Sequence, residues 1–271
     1  VNNDIYCAAG GVFELRAYWS RVAGNRFCRG NIVGWNGFSG QQLIFENNHL
    51  GGANCTSFYG LPEGSENIYW TNNYHENNFD GNNRETITGD GRVHGYMDTV
   101  ENITPNSFTL KAGVPLQRGV DTWRNGAVQI AGGKGVGQIR RIRTITDGRV
   151  ELAEPWDIMP DATSIINISS FRRRFIYTKN RAYDSSVALQ LYGSMIEGIF
   201  ADNETARTGG YNADAMSGEA NWFNQLLRNR IVAGNQYRGP RNEVPPTDAQ
   251  LGLLAYGAGT GAYKYPLVRS C

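Results

Sequence analysis

Short bursts in which apolar and polar residues alternate recur along this chain, and six of them end on asparagine: residues 20–25 (SRVAGN), 43–47 (LIFEN), 68–72 (IYWTN), 175–180 (FIYTKN), 199–203 (IFADN) and 231–235 (IVAGN). Alternation with period two predicts strands with one buried side. Taking differences between the terminal asparagines of neighbouring copies gives steps of 22, 25, 23 and 32, and Asn3 lies 22 before Asn25. A repeat in the low twenties built of short strands predicts a solenoid, because one such unit has no partner for its apolar side until the next unit stacks on it. Helical repeats have longer units, and the fixed leucine pattern of leucine-rich repeats is absent. In stacked coils Leu43/Phe45 and Ile68/Trp70 point inward as continuous columns. The asparagine suits a left-handed corner residue, and its amide can bond the asparagine of the next coil.

Between Asn72 and Asn180 the phrase disappears for 108 residues. There 107–110 (SFTL), 127–130 (AVQI), 138–142 (QIRRI) and 149–152 (RVEL) read as strands joined by glycine turns, notably Asp147-Gly148. The expected fold is all-β: a right-handed parallel β-helix solenoid with an inserted small antiparallel β subdomain. Its expected parts are coils over residues 1–85, the insertion over 86–170, and coils again over 171–271 with a loop near 237–248, where Gly239-Pro240 and Pro245-Pro246 fall. Trp222, Phe223, Leu226 and Leu227 would share a helical face, but resumption of the repeat at Ile231 favours strand and corner there.

Composition narrows the function. With 26 basic and 25 acidic side chains the net charge of +1 offers no field for a nucleic-acid backbone. No apolar run reaches the roughly 18 residues that a membrane helix needs. Cys7, Cys28, Cys55 and Cys271 form no C-x-x-C pair, and the spacing of Cys7 and Cys28 predicts neighbours on adjacent coils. Sequons start at Asn54, Asn102, Asn167 and Asn203. A start at Val1 and an end at Cys271 read as a processed protein or a piece of a longer one.

Residues 132–138 (GGKGVGQ) imitate a phosphate loop, yet Lys134 is followed by Gly rather than Ser or Thr and a strand comes next, so a plain glycine turn is expected. The densest polar cluster, Asp80, Arg84, Glu85 and Asp90, sits where coils give way to insertion. Glycoside hydrolysis needs two facing carboxyls, which Glu85 and Asp90, with Asp80, would supply; the plainer role for each is a turn cap or an ion pair. Calcium at Asp80, Glu85 and Asp90 matches hard oxygen ligands but lacks a loop signature; no other cofactor is expected. β-Elimination would instead need a cation and a base, and Arg172, Arg173, Arg174, Lys179, Arg181 and Tyr183 lie on the first coil after the insertion. A run of three arginines also serves as a solvated edge. Trp35, Tyr69, Trp70, Tyr74 and Trp123 are aromatic faces for sugars, about half of which alternation assigns to the core. His49 and His75, 26 apart, would be near neighbours.

The coil phrase, with residues 83–91 (NRETITGDG), 154–164 (EPWDIMPDATS) and 188–193 (ALQLYG), resembles the pectate-lyase-like superfamily of right-handed β-helices over about 1–85 and 171–250, and in particular secreted β-helix repeat proteins of uncertain activity. The coil pattern specifies a fold and not a reaction; the expected function is an extracellular or cell-surface protein that binds, and in the enzyme reading cleaves as a lyase or hydrolase, a polysaccharide or cell-surface glycan in the groove between the coils and the insertion. Arg84, Trp70, Lys179, Arg181 and Tyr183 are the expected substrate contacts. The alternative is a non-catalytic structural or adhesive segment of a larger extracellular assembly that meets further segments of its own chain or other copies.

Overall fold

A computed structural model describes residues 1–6, 15–30, 38–53, 56–57, 65–76, 87–89, 95–117, 123, 126–169, 172–183, 188–192, 195–207, 210–214, 221–233 and 253–257. It is nearly all-β: a parallel β-solenoid of about six turns carrying an antiparallel sheet. Each full coil runs along three faces. Face one stacks Asp4–Tyr6, Arg26–Gly30, His49–Ala53, Tyr74–Glu76, Arg181–Tyr183, Glu204–Ala206 and Arg230–Ala233, all parallel. Face two stacks Leu15–Ala23, Phe38–Glu46, Ser65–Thr71 and Arg172–Thr178, then the split strands Met195–Ile196 with Ile199–Ala201 and Asn221–Trp222 with Gln225–Leu227. Face three stacks Thr56–Ser57, Ile87–Gly89, Leu189–Tyr192, Gly210–Asp214 and Leu253–Gly257. Residues 221–230 are therefore strand and corner, as the repeat required.

The corner from face two to face one is built by two consecutive residues rather than one. Asn2, Gly24, Asn47, Asn72, Lys179, Asp202 and Arg228 take left-handed backbone angles, with φ between 51° and 67°. The next residue is always asparagine, and these form the ladder: Asn3, Asn25, Asn48, Asn73, Asn180, Asn203 and Asn229. In each step the backbone N–H and the side-chain Nδ2 of one asparagine donate to Oδ1 of the next, at 2.8–3.1 Å. From Asn48 onward the remaining amide hydrogen goes to a face-two carbonyl one coil back, those of Val22, Phe45, Trp70, Tyr177 and Phe200.

This corrects the ladder expected from sequence. Asn47 and Asn72 are the exposed left-handed residues, bonded to each other at 2.5 Å, while the rungs are Asn48 and Asn73; the last described rung is Asn229, and Asn235 lies outside the described residues. Tandem Asn-Asn hid the assignment, because either residue satisfies the corner preference and only the inward direction of the second distinguishes them.

A second bend divides face two. Trp19, Gln42, Asn67, Arg174, Glu197 and Phe223 stand at equivalent levels and all have φ between 53° and 57°. After each bend the side chains alternate again, giving an interior column of Val22, Phe45, Trp70, Tyr177, Phe200 and Leu226. Phe45 and Trp70 stack at 3.6 Å between centroids with planes 7° apart. Face one contributes Phe27, Leu50, His75, Ala182 and Thr205 to the same interior. His75 is wholly buried, and neither ring nitrogen has a partner among the described residues. Desolvation, aided by His49, pushes its pKa from 6.5 down to about 3.

The chain leaves the stack after Ile87–Gly89 and rejoins it at Arg172–Thr178, which pairs directly with Ser65–Thr71. Between them lies a seven-stranded antiparallel sheet, in spatial order Tyr96–Asp98, Ile165–Ser169, Ala127–Gly132, Ile139–Thr146, Arg149–Leu152, Ser107–Leu110 and Val100–Thr104. Asp147 and Gly148, both at positive φ, make the tight turn that Asp-Gly encodes. Residues 133–137 are a hairpin turn and not a phosphate loop; a side chain on Gly133 would collide with the Thr163 carbonyl. The sheet has its own core, including Trp123, Phe108, Val128, Ile142 and Trp156. Its other side lies against the first half of face two, where Ala127 and Ile139 pack with Ile196 and Arg141 pairs with Glu66.

Asn73→Ala should lower unfolding free energy by roughly 2–4 kcal/mol, since it removes the acceptor of the Asn48 backbone and side-chain N–H groups and the donor to the Phe45 carbonyl, and leaves Asn180 Oδ1 with only the backbone N–H of residue 73. Asn72→Gly should change it by less than about 1 kcal/mol, because glycine accepts the same φ. Denaturant midpoints of the two variants check this, and equal losses would refute the rung assignment.

His75 binds a proton in the unfolded chain at pH 6.5 but in the folded chain only near 3, so stability should fall as pH drops through that window. The full difference is on the order of 5 kcal/mol. His75→Leu should flatten this acid limb in urea titrations run from pH 7 to pH 4.

Candidate functional site

Strands of face one are short, and the rung asparagine sets their phase. The residue one place after each rung points out and the next points in, and at Gly51, Glu76 and Tyr183 the third points out again. The first outer column therefore reads Arg26, His49, Tyr74, Arg181, Glu204, Arg230 from coil to coil. Beside it run Gly51, Glu76 and Tyr183, while Ala206 at the next level is buried. Neighbouring members are separated by one coil step, about 4.8 Å.

These side chains bind one another. His49 Nε2 lies 2.7 Å from Glu76 Oε1, and the Tyr74 hydroxyl donates to Glu76 Oε2 at 3.0 Å. The Tyr183 hydroxyl donates to Glu204 Oε1, and Arg230 Nη1 reaches Glu204 Oε2 at 3.4 Å. The bond to Glu204, followed by burial and the Glu204 charge, raises the Tyr183 pKa above the usual phenol range. The rings of His49 and Tyr74 are 5.1 Å apart, and those of Tyr74 and Tyr183 meet edge to face at 5.6 Å. Arg181 stands exposed beside this tyrosine pair, next to Tyr74 across the strands, with no ion pair among the described residues. The result is a row of aromatic faces, two guanidinium groups, Arg26 and Arg181, without an ion pair among the described residues, and two carboxylates already held by donors.

Of the residues expected from sequence, Arg181 and Tyr183 stand on this row. Lys179 occupies the corner ridge beside it at φ 57°, where its charge helps Arg228, whose hydrogen bond is the larger influence, hold the Asp202 carboxyl below its ordinary pKa. Trp70 is no surface platform: it is 0% exposed, because its position after the bend points inward. Trp123 is likewise buried, donating to the Gln117 carbonyl at 2.7 Å. Asp80, Arg84, Glu85 and Asp90 lie outside the described residues, as do Cys7, Trp35 and Asn54. The arginine run is no solvated edge, since Arg172 is buried while Arg173 and Arg174 both grip Glu197, at 2.9 and 3.1 Å. His49 is outward and His75 inward, so the two do not share a surface. Among the described sequons only Asn102 is exposed, for Asn167 and Asn203 are buried.

Glu76, Glu204 and Arg230 escaped the sequence reading. Their signal is a fixed offset from the rung: plus one for His49, Tyr74, Arg181, Glu204 and Arg230, plus three for Glu76 and Tyr183. Assigning the rungs to Asn47 and Asn72 moves that phase by one and points the wrong residues outward.

The described architecture defines a parallel β-solenoid with one polar, aromatic face. No family model, curated protein or solved structure matches the chain.

Arg181→Ala should leave the denaturation midpoint unchanged, as expected for a surface group without a partner. Trp70→Ala should cost roughly 3–5 kcal/mol through the cavity it opens against Phe45. Chemical denaturation of both variants separates surface from core in this row of residues.

Proposed function

We propose that this protein is a pectate-lyase-like β-helix that binds a polysaccharide chain along face one, in an extracellular or cell-surface setting. The observation that carries the reading is Arg181, exposed and without an ion pair among the described residues, beside the Tyr74–Tyr183 ring pair. Sugars present apolar C–H faces to aromatic rings and hydroxyls or carboxylates to fixed donors and acceptors, and this row alternates those features up the coil axis. An extended polymer can follow the axis and repeat the same contacts coil after coil.

A second reading, a non-catalytic structural or adhesive module, draws support from Glu76 and Glu204. Both carboxylates are engaged by phenol donors, whereas glycoside hydrolysis requires one carboxyl that acts as an acid.

Affinity electrophoresis and titration calorimetry against neutral and acidic polysaccharides test the proposal. Some glycan should retard the protein, and the double variant Arg181→Ala, Tyr183→Ala should weaken that binding at least about tenfold, in the range expected for losing a charged hydrogen bond and a stacking face. Retardation by no glycan, or undiminished binding by the double variant, would overturn it.

A further inference from the structure

Within face one, His49 and Glu76 have the geometry of a base and its orienting group. A carboxylate only accepts hydrogen bonds, so at 2.7 Å the contact requires the proton on His49 Nε2. In the neutral ring Nδ1 then carries the lone pair, and it has no partner among the described residues. Glu76 is itself fixed by the Tyr74 hydroxyl on its second oxygen. The pair is half open to solvent, with His49 and Glu76 side chains 30% and 31% exposed. The groups that face it are Arg26 one coil before, Tyr74 and Arg181 after, and His75 beneath. Arg26 makes no ion pair among the described residues and lies one coil step from His49. Gly51 keeps the floor low beside the pair, since a Cβ there would come within 3.3 Å of His49 Nε2.

We propose that His49, positioned by Glu76, is a general base that hydrolyses acyl esters carried by the glycan bound on face one, with Arg26 stabilising the oxyanion. His49 Nδ1 takes a proton from water as the water oxygen bonds to the acyl carbon, and the carbonyl electrons move to an oxyanion facing Arg26. Collapse of this intermediate breaks the bond between acyl carbon and sugar oxygen. The sugar alkoxide takes the proton back from the imidazolium, leaving a free carboxylic acid and a free hydroxyl. Only one base and one cation are needed. Glycoside hydrolysis needs a separate carboxylic acid besides the base, and the two carboxylates of this row, Glu76 and Glu204, each accept a hydrogen bond from a phenol.

This inference rests on glycan binding to face one, and its test keeps the two apart. The full chain is incubated with O-acetylated polysaccharides and their chemically deacetylated counterparts, acetate release is followed by proton NMR, and binding is measured in parallel. Acetate should be released, and His49→Gln should slow release by about 10²–10⁴-fold while the glycan still binds. Glu76→Gln should slow it roughly tenfold or more and, in nitrogen-15 spectra, turn the single Nε2-protonated tautomer of His49 into a mixture. Binding without acetate release, or release untouched by His49→Gln, would overturn the inference and leave the binding proposal standing. Absence of binding to every acetylated and deacetylated glycan would overturn both.

Discussion

Hydrogen bonding between stacked asparagine amides at one corner holds the register of this solenoid. Parallel strands alone can slide by two residues and keep the same sides buried. An inward amide at each corner removes that freedom, because Oδ1 must meet both donors of the preceding rung and Nδ2 must meet the following one. The left-handed residue before the rung turns the chain so that the amide points inside. In water an exposed asparagine gains little from such bonds; in the apolar interior each unmatched group would cost its desolvation, so the whole column forms or fails together.

The ladder also explains how the coils tolerate so large an interruption. Asn73 bonds to Asn180 across 107 residues with the same pattern and lengths as Asn48 to Asn73 across 25. The antiparallel unit needs only to begin and end at adjacent levels of the stack. It supplies a separate core and then closes over the first half of face two through Arg141, Ala127 and Ile139. None of these contacts among the described residues falls on face one.

Left-handed bends at Trp19, Gln42, Asn67, Arg174, Glu197 and Phe223 set the second constraint on shape. A left-handed backbone costs an ordinary L-residue roughly 1–2 kcal/mol, and of these six only Asn67 belongs to a type that tolerates it well. Stacked strands on both sides of the bend impose it, with every coil holding the conformation of the next. No residue type marks these positions, and so the bend was invisible in the sequence even though it decides which side Trp70 faces.

The sequence by itself determined the class of fold, since alternation with a repeat in the low twenties has no stable solution other than stacked strands, and Asp147-Gly148 chose its turn unaided. It also brought Arg181 and Tyr183 forward as surface candidates. Tertiary structure decided the rest: which member of Asn47-Asn48 and of Asn72-Asn73 turns inward, and hence which residues after them face water. His49 and Glu76 are 27 positions apart and neither carries a local signature; they become a pair only because two coils lie one strand spacing apart. A local pattern specifies direction in or out at short range, while the meeting of two outward groups depends on the sum of every turn and loop between them.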